Sequence, residues 1–143
     1  MTTPFDIREG SWAELGAQSG EIRRVVFIEE QRVPLEEEWD GRDEPCRHFL
    51  ALSRGKPLGT ARLLPDGHIG RVAVLQEARG LGIGKALMQA AIAAAQRQGH
   101  PHVELAAQTH ALDFYQRLGF SAFGPEFLDA GIPHRNMRLS LRH

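Results

Sequence analysis

The stretch from Gly67 to Ala107 narrows the fold more than any other part of the chain. A strand-like run, Gly67 to Val74, leads through the glycine-rich turn Arg79-Gly80-Leu81-Gly82-Ile83-Gly84-Lys85 into a helical pattern, and a second strand-like run, His102 to Ala107, follows. Within Gly82 to Gln98, Ile83, Leu87, Ala90, Ala91 and Ala94 recur at the spacing of one helix face, and Gly99 followed by Pro101 ends the helix. Strand, helix and strand in this order predict a βαβ unit, whose two strands must be parallel if they share a sheet.

The flanking segments add elements around that unit. Phe5-Asp6-Ile7-Arg8 alternates apolar and polar residues and predicts a short first strand. Ile22, Val25, Val26 and Ile28, between Glu21 and Arg32, have helical spacing, whereas Gly16 and Gly20 argue against one unbroken helix from Ser11, so a helical region with a break is expected. Glu29 to Glu44, interrupted by Pro34 and Gly41, reads as a loop or a short irregular helix. His48 to Ser53, Leu58 to Leu64 and Gly67 to Val74, separated by Gly55-Lys56-Pro57 and Pro65-Asp66-Gly67, predict an antiparallel meander. Ala111 to Leu118 reads as a short helix with Ala111, Phe114, Tyr115 and Leu118 on one face. Phe120 to Phe123 and Asn136 to Leu141 read as two short strands around a loop containing Gly131-Ile132-Pro133-His134. The class is α/β (α+β) with a mixed central sheet of six to seven strands and four helices.

A chain of 143 residues suits one domain, 1–143, and 42% apolar with 24% charged residues is the balance of a globular protein. No apolar run approaches the ~20 residues that span a bilayer, and Met1 to Arg8 lacks an apolar h-region, so a cytoplasmic protein without a membrane is expected. Cys46 is the only cysteine, which excludes an internal disulfide, and its setting between Pro45 and Arg47 does not read as that of a nucleophile. A net charge of −1 predicts no nucleic-acid partner. The pairs Cys46/His48 and His100/His102 fall short of four ligands at recognisable spacing, so no metal is expected.

The glycine-rich turn carries the chemistry. Between a strand and a helix N-terminus it frees several backbone N–H groups, and the helix dipole adds partial positive charge, so the turn can cradle a pyrophosphate, with Arg79 and Lys85 adding charge. The dinucleotide fingerprint G-x-G-x-x-G fails, because counting from Gly80 puts Lys85 at the third glycine. The P-loop form G-x-x-x-x-G-K-[ST] fails at Arg79 and at Ala86. What fits is R-x-x-G-x-G, at Arg79, Gly82 and Gly84. Here GRVAVLQEARGLGIGKALMQAA resembles the acetyl-CoA motif of the GNAT acetyltransferases, and AQTHALDFYQRLGF resembles the strand-helix segment that follows it in that family.

The resemblance implies a single GNAT-like domain with parallel strands splayed at an acetyl-CoA site. Val72, Ala73 and Val74 would pair through their backbone with the pantetheine arm. Arg79, Gly80, Leu81, Gly82, Ile83, Gly84 and Lys85 would hold the pyrophosphate, and Tyr115 would protonate or hydrogen-bond the departing thiolate. Gln108 stands where the family usually has Asn and offers the same amide chemistry. The implied function is acetyl transfer to a primary amine of a small molecule or protein, the alternative being a CoA-binding regulatory or interaction module without turnover. Candidate general bases are Glu29, Glu30, His68, Glu104 and His134. The segment Glu29 to Glu44 holds eight acids and two arginines, a net charge of −6, and an acidic rim would favour a cationic acceptor such as a polyamine, an amino sugar or a lysine side chain. The phrases Val26-Phe27-Ile28-Glu29-Glu30-Gln31 and Gly131-Ile132-Pro133-His134 resemble a subgroup of small bacterial GNAT proteins, and the resemblance is compatible with a homodimer.

Overall fold

The computed structural model describes residues 4–141. Strand β1 (Asp6–Gly10) leads to helix α1 (Trp12–Arg23), which continues without a break as a π-helical segment, Arg24–Glu30. A single turn of helix, α2 (Leu35–Glu38), precedes the meander β2 (Arg47–Ser53), β3 (Lys56–Leu63) and β4 (Ile69–Val74). Helix α3 (Ile83–Arg97), strand β5 (His102–Gln108), helix α4 (Leu112–Arg117) and the hairpin β6 (Ser121–Asp129) with β7 (Ile132–Ser140) complete the chain. No helix among the described residues is long and apolar enough to cross a membrane.

The seven strands do not form the one mixed sheet expected. They divide into an antiparallel sheet in the order β1-β2-β3-β4 and another in the order β5-β7-β6. The two parallel strands of the βαβ unit touch only at one end, through the bridge His68–Glu104 and the bond from Glu104 N to Gly67 O (3.3 Å). Beyond that point they diverge, which leaves a V-shaped opening between the carboxyl ends of β4 and β5.

Strand alternation loads both faces of the first sheet with apolar residues. In β2, Phe49 and Ala51 pack toward Leu87, Met88 and Ala91 of α3, while Leu50 and Leu52 pack toward Leu15 and Ile22 of α1. The sheet is therefore sandwiched between α1 and α3.

The break expected near Gly16 and Gly20 is absent. Helix α1 starts at a capping box in which Glu14 N donates to Ser11 Oγ (3.2 Å) and Ser11 N donates to Glu14 Oε1 (2.9 Å). Gly16 serves packing rather than termination: a Cβ there would lie 2.8 Å from the Trp12 ring. Trp12 and Trp39 in turn bracket the buried Arg23 guanidinium, at 5.5 and 4.9 Å from their ring centroids.

The tail strands are longer than their apolar runs suggested. Gly124-Pro125 is absorbed by an irregularity between Phe123 and Phe127, after which β6 continues to Asp129. The turn lies at Ala130-Gly131, both with positive φ, so Ile132, Pro133 and His134 belong to β7 rather than to a loop. Pro133 lies beyond the end of the β5–β7 pairing at Gln108–His134, so only β6, through Leu128, stands opposite it and its β5 side is an open edge.

Candidate active site

The opening between β4 and β5 is a cleft of about 610 Å³. Val72, Ala73, Val74 and Arg79 line it from one side, Gln108 from β5, and Tyr115 from α4; Phe27 and Gln31 of the π-helical segment and Ile132 and His134 of β7 close it. Six positions proposed for the cofactor or the thiolate thus share one cavity with two of the candidate bases, His68 and His134. Gly80 to Lys85 lie beside it, at the start of α3.

Backbone geometry prepares both edges. Along β4, Arg71 and Val72 together oppose the single residue Ala61, a bulge with Arg71 at φ 51°. Past the His68–Glu104 bridge, the β4 edge facing β5 has no ladder partner, so its N–H and C=O groups open into the cleft. At the turn, Gly80 and Gly82 have φ of 82° and 83°, conformations that disfavour side chains, and the space beside a Gly82 Cβ is empty. Gly82 caps α3 without a side chain, and the helix's first bond, from Ala86 N to Gly82 O, leaves the N–H groups of Ile83, Gly84 and Lys85 without helical acceptors. Lys85 is exposed, whereas the Ile83 side chain is in the core. Gly84 brings this first turn against α4: its Cβ would lie 3.4 Å from the Phe114 ring.

Arg79 is placed otherwise than an anion ligand would be. Its guanidinium meets both Glu30 oxygens (2.8 and 2.9 Å) and its Nε donates to Val74 O (3.0 Å). Gln108 donates to Gln31 Oε1 (3.0 Å) and meets His110 Nε2 at 2.6 Å. These ties, across 49 and 77 residues, had no local signal in the sequence.

Tyr115 is half-buried, edge-on to Phe114 (4.9 Å) and Phe120 (6.1 Å). Burial pushes its phenol up to about 12, so the hydroxyl keeps its proton throughout the physiological range. Its oxygen has no hydrogen-bond partner among the described residues and is free to donate within the cleft.

The acidic segment is not the free rim expected. Glu29 pairs with Arg24 and Glu30 with Arg79; Glu38 pairs with Arg23 (2.5 Å) and Arg71 (3.2 Å), Asp40 with Arg62 (2.6 Å) and Arg71 (3.2 Å), and Asp43 with Arg23 (2.6 Å) and Arg62 (2.9 Å). Five of its eight acids are counter-charges to arginines brought in mainly from α1, β3 and β4. Burial alone would raise the Asp40 carboxyl, but hydrogen bonds from Arg62 hold it well below the usual carboxylate range. Cys46 is buried, its thiol pushed up by burial and donating to Arg42 O (3.0 Å), which leaves it no part in the cleft chemistry.

Sequence comparison decides the family. An acetyltransferase (GNAT) domain model matches residues 24–141. The chain belongs to the GNAT acetyltransferase family. A relative from Bacillus subtilis, named as the uncharacterized N-acetyltransferase YjcF, is 39% identical over 120 residues, which cover 81% of this chain and 86% of the relative. Among solved structures, an acyl-CoA N-acyltransferase from Pseudomonas aeruginosa superimposes with a TM-score of 0.85 at 35% identity, covering 96% of this chain and all of the other. Escherichia coli ElaA does so with a TM-score of 0.85 at 28% identity, over 96% and 100% of the two chains. Membership of this family makes the protein an N-acyltransferase in general terms.

Proposed function

We propose that the protein transfers an acetyl group from acetyl-CoA directly to a primary amine. The observation that carries the reading is the cleft itself, where an unpaired strand edge, an uncapped helix N-terminus and a protonated phenol converge. The backbone of Val72 to Val74 offers donors and acceptors to the amides of the pantetheine arm, as an added strand would use them. The N–H groups of Gly80 to Lys85 and the Lys85 ammonium suit the pyrophosphate; Arg79 contributes backbone and shape, its guanidinium being held by Glu30. Gln108 contributes to the wall from β5.

Acyl transfer needs a neutral amine, a polarised carbonyl and a stabilised thiolate. Tyr115 serves the last. A phenol near 12 lies roughly 3 to 4 units above a thiol near ~8.5, so full proton transfer to the thiolate is uphill by about 5 kcal/mol. Donating a hydrogen bond to the developing negative charge is the role that fits. The smallness of acetyl rests on YjcF, named as an N-acetyltransferase.

The deciding experiment follows free-thiol release from acetyl-CoA on the purified protein with spermidine, glucosamine, Nα-acetyl-lysine and an amino-acid amide. Saturable release with at least one of them is expected. Acetyl-CoA binding without release would leave a CoA-binding module, and a preference for longer acyl-CoA would correct the donor.

A further inference from the structure

Acylation of an amine leaves a proton to be removed, and most of the groups able to take it are already engaged. Glu29 and Glu30 are held by Arg24 and Arg79. Glu104 meets Arg138 at 2.5 Å, and His68, although it lines the same cleft, is flanked by Asp66 (3.0 Å) and Glu104 (3.4 Å) at the end where β4 and β5 meet. A carboxylate in such a pair directs its lone pairs at the guanidinium and not at a substrate.

His134 differs. It lines the cleft with Tyr115 and Gln108, yet is only 8% exposed. Its Nδ1 is 2.6 Å from Ile132 O. A carbonyl only accepts, so Nδ1 carries the hydrogen, and in the neutral ring Nε2 holds the lone pair. The ring is stacked on Phe127 (5.8 Å, 23°) and sits opposite Gln108 in the β5–β7 ladder, which fixes its plane. Nε2 has no protein partner among the described residues. It is not sealed either, since the buried side-chain atoms without partners there are Arg62 Nε and Arg71 Nε. Its lone pair is therefore accessible.

We propose that His134 Nε2 is the general base, and that the acceptor is an α-amino group or another amine of comparably low basicity. The proposal rests on the acyltransfer reading above. The neutral amine nitrogen attacks the thioester carbonyl and forms the C–N bond, its proton passes to Nε2, and the C–S bond breaks with its electron pair leaving on sulfur. The thiolate, held by the Tyr115 hydroxyl, takes a proton from water, and the imidazolium returns one to water, so the step balances. The acceptor class follows from matching: an imidazole works near neutrality, where roughly a tenth of an α-amine (about 7.7–8.0) is neutral, against less than about a thousandth of a lysine-like amine (about 10.4). Five of the eight acids that would have drawn a polyamine are paired with arginines, and of the other three only Glu37 lines the cleft. Among the titratable or charged groups around His134 are Asp129 on β6, Tyr115 on α4, His110 in the turn before α4 and Arg135 beside it on β7; none is ion-paired with the imidazole among the described residues.

The test combines kinetics with a measurement that needs no acceptor. With an amino-acid amide as probe, His134→Ala and His134→Gln should lower kcat/KM by about 10²-fold or more while acetyl-CoA affinity by calorimetry stays within about twofold, and added imidazole should partly restore the alanine variant. The acid limb of the wild-type pH profile should vanish in both variants, and the amide should exceed Nα-acetyl-lysine as substrate at pH 7. In the unaltered protein, ¹⁵N-imidazole NMR should place the His134 proton on Nδ1. Turnover within threefold of wild type, a retained acid limb, a preference for the lysine side chain, or an Nε2–H tautomer would each overturn the proposal. If the unaltered protein releases no thiol with any amine, the acyltransfer reading fails and takes this one with it; normal release by both His134 variants sinks the base alone.

Discussion

Arg79 and Glu30 form a two-pronged ion pair (2.8 and 2.9 Å) across 49 residues, and the same guanidinium donates to Val74 O. The first residue of the glycine motif thereby ties the π-helical segment to the end of β4, joining the side of the cleft proposed for CoA to the segment proposed to cover the acceptor. Both side chains are about two-fifths exposed, so Arg79→Met should cost less than about 1 kcal/mol in urea unfolding. Acetyl-CoA affinity should fall little and the acceptor KM should rise. A tenfold or greater loss of acetyl-CoA affinity would show that Arg79 leaves Glu30 to bind the ligand.

Gly82→Val should abolish acetyl-CoA binding. The position has φ 83°, so a β-branched residue is strained there by roughly 1–2 kcal/mol, and its side chain would fill the open space beside the turn. Gly84→Ala is the control: its Cβ meets Phe114 at an ordinary 3.4 Å, so the fold should persist. Calorimetric titration and circular dichroism check both, and wild-type affinity in Gly82→Val would remove the proposed pyrophosphate site.

Tyr115→Phe should retain the fold and acetyl-CoA affinity, because the hydroxyl has no partner to lose among the described residues. Turnover should fall by roughly 10- to 10²-fold, toward the low end of what a lost general acid costs, since a phenol pushed up to about 12 donates a hydrogen bond rather than its proton. An unchanged rate without viscosity dependence would reduce Tyr115 to a packing residue.

Arg23→Met should destabilise the protein toward the lower end of the roughly 3–5 kcal/mol seen when one partner of a buried ion pair is removed, because Arg62 and Arg71 remain beside the orphaned Glu38 and Asp43. Acid should act on the same cluster. Burial opposes it, but arginine hydrogen bonds hold Asp40 and Asp43 below their unfolded values, so their contribution is complete above about pH 4 and is lost as pH falls through their folded values. Burial raises Glu38, whose contribution has the opposite sign and does not add to the acid loss. Urea midpoints at pH 7 and pH 3 measure the difference; equal midpoints would show that these pairs do not support the fold.

The order of elements, the meander, α3 and the glycine turn were legible in the sequence, because apolar periodicity and glycine punctuation are local signals that the nearby backbone obeys. Gly16 and Gly20 misled for a physical reason: their helix-breaking tendency is outweighed by a capping box and by tryptophan rings that need the room. Gly124-Pro125 misled likewise, since an irregularity in β6 absorbs it. The residues of the β4 edge, Gln108 and Tyr115 could be named from motif resemblance, but only the fold brings them into one cleft.

Tertiary structure alone decided where the charges go. Sequence gives Glu29 to Glu44 a net charge of −6, but which arginines meet those acids depends on contacts between residues tens of positions apart, and no local pattern encodes them. The same holds for His134: its place in the chain made it one histidine among seven, whereas strand pairing, the carbonyl at Ile132 and the divergence of β4 from β5 set the direction in which its free nitrogen can work. The sequence by itself determined the glycine turn proposed to hold the cofactor, because such a cradle would be made of adjacent backbone groups. The rest of the cleft is assembled from the π-helical segment, β4, β5 and β7 together, and chemistry built from distant segments becomes readable only once they are packed.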